Sequence, residues 1–182
     1  MDARQIKTVE DARAVVEARG LAQVKVGVTD IDGVIRGKYM AREKFFSALT
    51  SGFNFCDVVF GWDSHDQLYD RATVTGWETG FPDAPVWIDP TTARDTPLEG
   101  DMLLFLGNFT GKMSAVCPRS LLQRVIGKAA DMGFTASAAA EFEFFVFDAR
   151  SRTSSRPRKS PAPRTSPIGA CRLPSARRPS AK

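Results

Sequence analysis

A chain of 182 residues, 43% hydrophobic and 25% charged with a formal net charge of +4, has the size and composition of one globular domain or one and a half. Its most apolar run, residues 102–106, falls far short of the roughly 20 residues that cross a bilayer, and the polar first twenty residues do not read as a secretory signal. Three scattered cysteines, Cys56, Cys117 and Cys171, argue against a disulfide framework or a zinc site and for a reducing, cytoplasmic setting.

In chain order, Thr8 with Asp11 three residues on forms a capping pair and Gly20 a stop, so residues 8–19 are expected to be helical. Residues 24–40 read as a β-hairpin. Val24, Val26 and Val28 alternate, Asp32-Gly33 supplies the turn, and Val34-Ile35 resumes the apolar pattern. Residues 41–49 form a short helix with Phe45, Phe46 and Leu49 on one side, closed by Ser51-Gly52. Short strands are expected at 55–60, 73–76 and 86–89, and a strongly apolar one at 101–108. From Pro118 the period becomes helical: Leu121, Leu122, Val125, Ile126, Ala129 and Ala130 make one stripe, and Gly133 is a stop. A strand pair, 134–138 and 140–147, should follow. No internal repeat is visible.

The segment Ala140-Glu141-Phe142-Glu143-Phe144 concentrates the chemistry. On a strand, Glu141 and Glu143 share one face, about 7 Å apart by the strand rise. Such a pair can hold hard divalent ions through oxygen. The same pattern also describes an amphipathic edge strand with a solvated acidic face, and the residues alone leave both readings open.

Five segments together resemble the glutamine synthetase family in order and spacing: DIDGVIRGKYM (30–40), FGWDSHDQLYD (60–70), IDPTTAR (88–94), CPRSLLQRV (117–125) and AAEFEFFVFD (139–148). The resemblance covers 20–148 and is nearest to the bacterial branch that includes the γ-glutamylpolyamine ligases. With the N-terminal helix (1–20) ahead of it, it implies an α+β fold with a β-grasp domain (21–110) and the first strand–helix–strand of a catalytic domain (111–148). It implies a homo-oligomeric ring, with each active site between a catalytic domain and the neighbour's β-grasp domain. Glu141 and Glu143 then correspond to metal-binding glutamates for Mg²⁺ (or Mn²⁺). Asp63 corresponds to the aspartate that holds the ammonium or amine in the neighbour's site, with Asp66 as its rival. The implied reaction is phosphorylation of the γ-carboxylate of glutamate by ATP, then attack by ammonia or an amine on the γ-glutamyl phosphate.

Other residues read more plainly. His65, the single histidine, sits on a polar loop and is expected to be solvated. Arg36 and Lys38 flank Gly37; phosphate binding is open to them, but a solvated strand end or an intersubunit salt bridge is the simpler reading. Trp62, Trp77 and Trp87 are expected to pack, with Trp62 also placed to line the neighbour's site. The cysteines have no positioned base and are expected to be inert.

The charge is unevenly divided. Residues 149–182 hold ten Lys or Arg and no acidic residue, and 26 of the 34 are Arg, Ser, Pro or Ala. That leaves fifteen basic and twenty-one acidic residues in 1–148, a net of −6. The basic segment is expected to be disordered and foreign to the family, as an out-of-frame reading of GC-rich DNA would be. The family's later motifs are missing, so the chain is expected to be truncated and inactive alone, with the 118–148 segment exposing apolar surface. Two alternatives remain: an interaction module working through its β-grasp edge, and a basic arm binding nucleic acid non-specifically. The lack of interleaved aromatics counts against the latter.

Overall fold

The computed structural model describes residues 2–143 and divides the chain into two compact units, Met1–Ala136 and Ser137–Lys182. Phe144–Phe147 of the expected acidic strand and the basic segment 149–182 lie outside the described residues.

The first unit is a mixed α+β structure. After a 3-10 turn over Ala3–Gln5, helix α1 (Val9–Ala18) starts at the expected capping box. The Thr8 hydroxyl accepts from the Asp11 amide at 3.1 Å, and the Asp11 carboxylate accepts from the amides of Thr8 and Lys7, each at 3.0 Å. Those amides hold the Asp11 carboxyl below its ordinary value, Lys7 most strongly. Strands β1 (Gln23–Thr29) and β2 (Ile35–Ala41) form the expected antiparallel hairpin, Gln23 facing Ala41 and Thr29 facing Ile35. Helix α2 (Arg42–Ser51) follows and ends at Gly52, whose φ of +70° suits glycine. Then come β3 (Phe53–Cys56), β4 (Asp83–Asp95), β5 (Leu103–Phe109) and helix α3 (Pro118–Asp131).

The five strands form one sheet in the order β2-β1-β5-β4-β3. The central pair β1–β5 is parallel and the others are antiparallel. The Lys38 ammonium on β2 lies 5.3 and 5.1 Å from the rings of Phe53 and Phe55 on β3, although β2 and β3 are opposite edges. The sheet therefore curls until its edges face each other, with α2 connecting them. One face carries the core: Val24, Val26, Leu103, Phe105 and Ile88 lie under Ala12, Val15 and Val16 of α1 and Phe45, Ala48 and Leu49 of α2. Phe45 stacks on Phe105 at 4.9 Å between ring centres. Each fully buried Val, Leu, Ile or Phe among them contributes roughly 1.5–3 kcal/mol. A second cluster, Val28, Val59, Phe60, Ala84, Val86, Phe109 and Cys117, fills the other end of the same face.

Across the hairpin, Gly27 faces Gly37. A Cβ on Gly27 would lie 2.6 Å from Ile35 Cγ2, and one on Gly37 would collide with the Val26 carbonyl oxygen. The tight crossing of β1 and β2 thus requires both glycines.

Several expected elements differ. Residues 55–60 are not one strand: β3 ends at Cys56 and Asp57–Phe60 is a 3-10 turn. Residues 73–76 form bends and turns. Thr75 is buried there and donates its hydroxyl to the equally buried Asp57 at 2.5 Å, so this β-branched residue serves a side-chain bond rather than a strand ladder. Strand β4 is much longer than 86–89 and tolerates Pro90 through a register shift between Asp89 and Arg94. Residues 134–143 form no strand; a ladder needs a paired neighbour, and none is present for them among the described residues. The stripe of α3 is exposed at Leu121, Leu122, Val125 and Ile126. Among the described residues no helix is long and apolar enough to cross a membrane.

Two glycine substitutions should have opposite signs. Gly37→Ala should destabilise the fold by about 1–3 kcal/mol through overpacking. Gly127→Ala, with open space around it inside α3, should instead stabilise that helix by about 0.5–1 kcal/mol. Denaturant midpoints and helicity by circular dichroism check both; equal effects would refute the close approach at Gly37.

Candidate functional site

The hairpin turn is built around Asp30, which is fully buried. Its Oδ1 accepts from the amides of Asp32 at 3.0 Å and Val34 at 2.8 Å, closing the turn, where Gly33 has a φ of +81°. Its Oδ2 accepts from Arg36 Nε at 2.8 Å. The same guanidinium reaches, through Nη1, the Asp66 carboxylate at 2.7 Å and lies over the Trp62 ring at 5.2 Å. Asp30, foremost, and the charge of Asp66 hold the Arg36 guanidinium protonated beyond its ordinary range, against burial. Two donors in this cluster, Arg36 Nη2 and Trp62 Nε1, are buried and have no hydrogen-bond partner among the described residues.

Asp63 lies in the middle of the loop that Arg36 holds. Its Oδ1 accepts from the amides of His65 at 2.8 Å and Gln67 at 3.0 Å, and its own amide donates to the Gln67 carbonyl at 3.0 Å. The loop is further closed by the Tyr69 amide on the Gly61 carbonyl at 2.8 Å and a bridge between Trp62 and Leu68. The amides of Gln67, first, and His65 hold the Asp63 carboxyl below the usual carboxylate range. Asp66 has a φ of +61°, a conformation that Asp tolerates better than most residues. Burial, with the charges of Asp32, Asp63 and Asp30, pushes the Tyr69 hydroxyl up. His65 is exposed, its ring 3.5 Å from the Ser64 hydroxyl.

Segments 30–40 and 60–70 are thus joined by Arg36. Segments 88–94 and 117–125 are joined by a second arginine, Arg119 near the start of α3. It donates through Nη2 to Asp89 at 2.9 Å and through Nε to the Asn108 side-chain oxygen at 2.8 Å. Asp89 also accepts from the amide and hydroxyl of Thr91 at 3.1 and 2.6 Å. Neither arginine's role was visible in the sequence. Arg36 is not a solvated strand end: its salt bridges are within the chain. The one available signal was a D-x-D-G turn with an arginine soon after it on the returning strand. Trp77 departs from expectation too, being 75% exposed and touching Phe81 at 5.4 Å between rings. Cys56 donates to the Phe81 carbonyl at 3.3 Å, buried Cys117 lies 3.7 Å from the Thr29 hydroxyl, and Cys171 is outside the described residues.

Glu141 and Glu143 are exposed and belong to no helix or strand among the described residues. They offer the hard oxygen donors that Mg²⁺ accepts, but too few to complete its octahedron alone. No group of three or more metal-ligating side chains comes together among the described residues. A groove of about 540 Å³ between Lys38, Lys44, Asn54, Asp83 and Trp87 contains none of the candidate residues.

The sequence profile described as glutamine synthetase, catalytic domain, matches residues 115–178. That interval runs past Asp148. Type-1 glutamine synthetase 2 of Dictyostelium discoideum is 41% identical over 133 residues, 71% of this chain and 26% of the relative. Glutamate–isopropylamine ligase of a Pseudomonas species is 33% identical over 146 residues, 78% of this chain and 32% of the relative. Gamma-glutamylethanolamide synthetase GlnA4 of Streptomyces coelicolor is 27% identical over 143 residues, 31% of its length. The chain therefore spans between about a quarter and a third of the curated relatives it matches. Among solved structures, Plasmodium falciparum glutamine synthetase superposes with a TM-score of 0.52 at 14% identity, over 73% of this chain and 24% of that one.

The depressed Asp63 carboxyl has a testable consequence. Its contribution to stability is complete above the ordinary carboxylate pKa of about 4 and is lost as pH falls through the lower folded value. Asp63→Asn keeps an oxygen for the two amides but cannot titrate. Between pH 5 and 2, as rough bounds, the urea midpoint of the parent chain should fall more steeply than that of the variant. Parallel curves would show that the two amide bonds do not hold the anion.

Proposed function

We propose that the chain, which belongs to the glutamine synthetase family, carries the amine-holding portion of an ATP-dependent glutamate–amine ligase. The observation behind this is the unequal state of the two loop aspartates. Asp66 has its Oδ1 committed to the Arg36 guanidinium, and that fixed cation beside it disfavours a second one. Asp63 is stabilised by neutral amides at Oδ1 only; none of the described residues donates to its Oδ2. It keeps its full negative charge and one free oxygen, which is what an ammonium group needs. Asp63 is therefore our choice over Asp66.

In this reading the sheet with its hairpin, crossing helix and central parallel pair is a β-grasp domain over 21–110, and residues 111–148 begin the catalytic domain. The Asp63 loop serves a neighbouring subunit's site in a cytoplasmic ring. Asp63 holds the cationic amine in place and orients it before deprotonation, and Glu141 and Glu143 hold Mg²⁺ or Mn²⁺. The bound ion supplies charge neutralisation at the phosphates of ATP and of the acyl phosphate formed on glutamate. The names of two relatives, an isopropylamine ligase and an ethanolamide synthetase, support an amine larger than ammonia.

The test is a chimera in which residues 1–143 replace the corresponding part of the Pseudomonas glutamate–isopropylamine ligase. Asp63→Asn should raise the KM for the amine by about 10–100-fold, the usual worth of a charged hydrogen bond, with the KM for glutamate unchanged. Glu141→Gln and Glu143→Gln should each lower kcat by about a hundredfold at limiting Mg²⁺. An active chimera indifferent to Asp63→Asn would overturn the amine assignment. Indifference to both Gln variants would overturn the metal assignment.

A further inference from the structure

We infer that Arg36 is the positioning residue for the 61–70 loop, fixing where Asp63 is presented through a guanidinium anchored on buried Asp30. This rests on the reading of Asp63 as the amine holder, and Arg36 itself touches no reacting group. The loop's own bonds run from Asp63 to His65 and Gln67, from Asp66 to Asp63 and from Tyr69 to Gly61. They make the loop rigid but tie it only to itself. Among the described residues, the only hydrogen bond or ion pair from 62–69 to a strand is that between Asp66 and Arg36 at 2.7 Å. Trp62 adds packing on the second core cluster, and its exposed flank is covered by the same guanidinium at 5.2 Å. Arg36 therefore grips residues on both sides of Asp63, one by charge and one by its flat face.

The grip works because the guanidinium cannot rotate. Its Nε is committed to Asp30 at 2.8 Å, and Asp30 is fixed by the turn amides of Asp32 and Val34 and is fully buried. Buried and unpaired, that carboxylate would be strongly unfavourable, so Arg36 has one placement. Three partners in three directions require a planar fork. A lysine supplies the charge but neither the fork nor the stacking face. The titratable groups around this centre are Asp30, Asp32, Asp63, His65, Asp66 and Tyr69.

The test is amide hydrogen exchange, with NMR titration of the Asp63 carboxyl, on the full 182-residue chain carrying Arg36→Lys. The amides of Asp66, Gln67 and Tyr69 should exchange at least about tenfold faster, equivalent to about 1.4 kcal/mol of lost protection. The amides of Val26 and Phe105 in the central strands should be unchanged. The Asp63 titration midpoint should rise as its two amide donors loosen. A general structural role would speed the central strands equally, and that result, or an unchanged loop, overturns the inference. Should Arg36→Lys fail to fold, Asp66→Asn takes the charge out of the arm to the loop and leaves Asp30 paired; it should speed the same three amides at least threefold, and no change there overturns the inference equally. The ligase reading fails separately: it falls if Asp63→Asn leaves the chimera's KM for the amine unchanged, whatever the exchange shows.

Discussion

A carboxylate with no solvent access must find partners for both oxygens, and Asp30 is that carboxylate here. One oxygen closes the hairpin turn and the other orients Arg36. Two features a long way apart in concept, the return of β2 along β1 and the placement of a polar loop, thereby become consequences of one buried charge. The turn needs Asp30 for its amides. Asp30 needs Arg36 for its charge, and the loop takes its place from what remains of the guanidinium. Gly27 and Gly37 belong to the same arrangement, because β2 must cross β1 closely enough for a side chain at 36 to reach back to position 30.

A second arginine repeats the device with a smaller reach. Arg119 draws the start of α3 onto β4 and β5 through Asp89 and Asn108, and Cys117 and Ser120 are buried beside it. Beyond that first turn the helix gains little from the sheet, since its apolar stripe is exposed. The helix is fixed by its N-terminal turn and directs its hydrophobic face elsewhere. Segments that looked like five separate motifs along the chain are, in space, two arginine-centred pairs and one acidic stretch.

Legibility in the sequence followed the range of the forces involved. The capping box at Thr8 and Asp11, the hairpin with its Asp-Gly turn and the helix with Phe45 and Leu49 inward were readable, because each is decided within about ten residues. The stretch around Thr75 was misread as a strand because its hydroxyl answers a buried Asp57 eighteen residues earlier. The extent of β4 was underestimated because a proline inside a run argues against a strand, and only the register shift after Asp89 shows how it is accommodated. At the site, Asp63 was reachable only through the family resemblance. Arg36 was named without its partners Asp30 and Asp66, since no periodicity reveals which of several nearby carboxylates a guanidinium will meet.

The charge arrangement of the loop region explains how it can be both fixed and attractive to a cation. Asp30, Asp32 and Asp63 all lie close enough to raise the Tyr69 hydroxyl, and Asp66 completes the acidic group. Four carboxylates gathered from the hairpin turn and the 61–70 loop would repel one another and drive the two segments apart. A single guanidinium relieves this selectively, spending its charge on the one carboxylate that is buried and on one that flanks the tip. Asp32 and Asp63 are the two carboxylates that the guanidinium does not touch, and Asp63 is held anionic by neutral amide donors that do not cancel its charge. A lysine in place of Arg36 would neutralise the same amount of charge yet leave its location undetermined. Fixing the loop while preserving its net negative field requires a cation with several directional donors at the base and only uncharged donors at the tip.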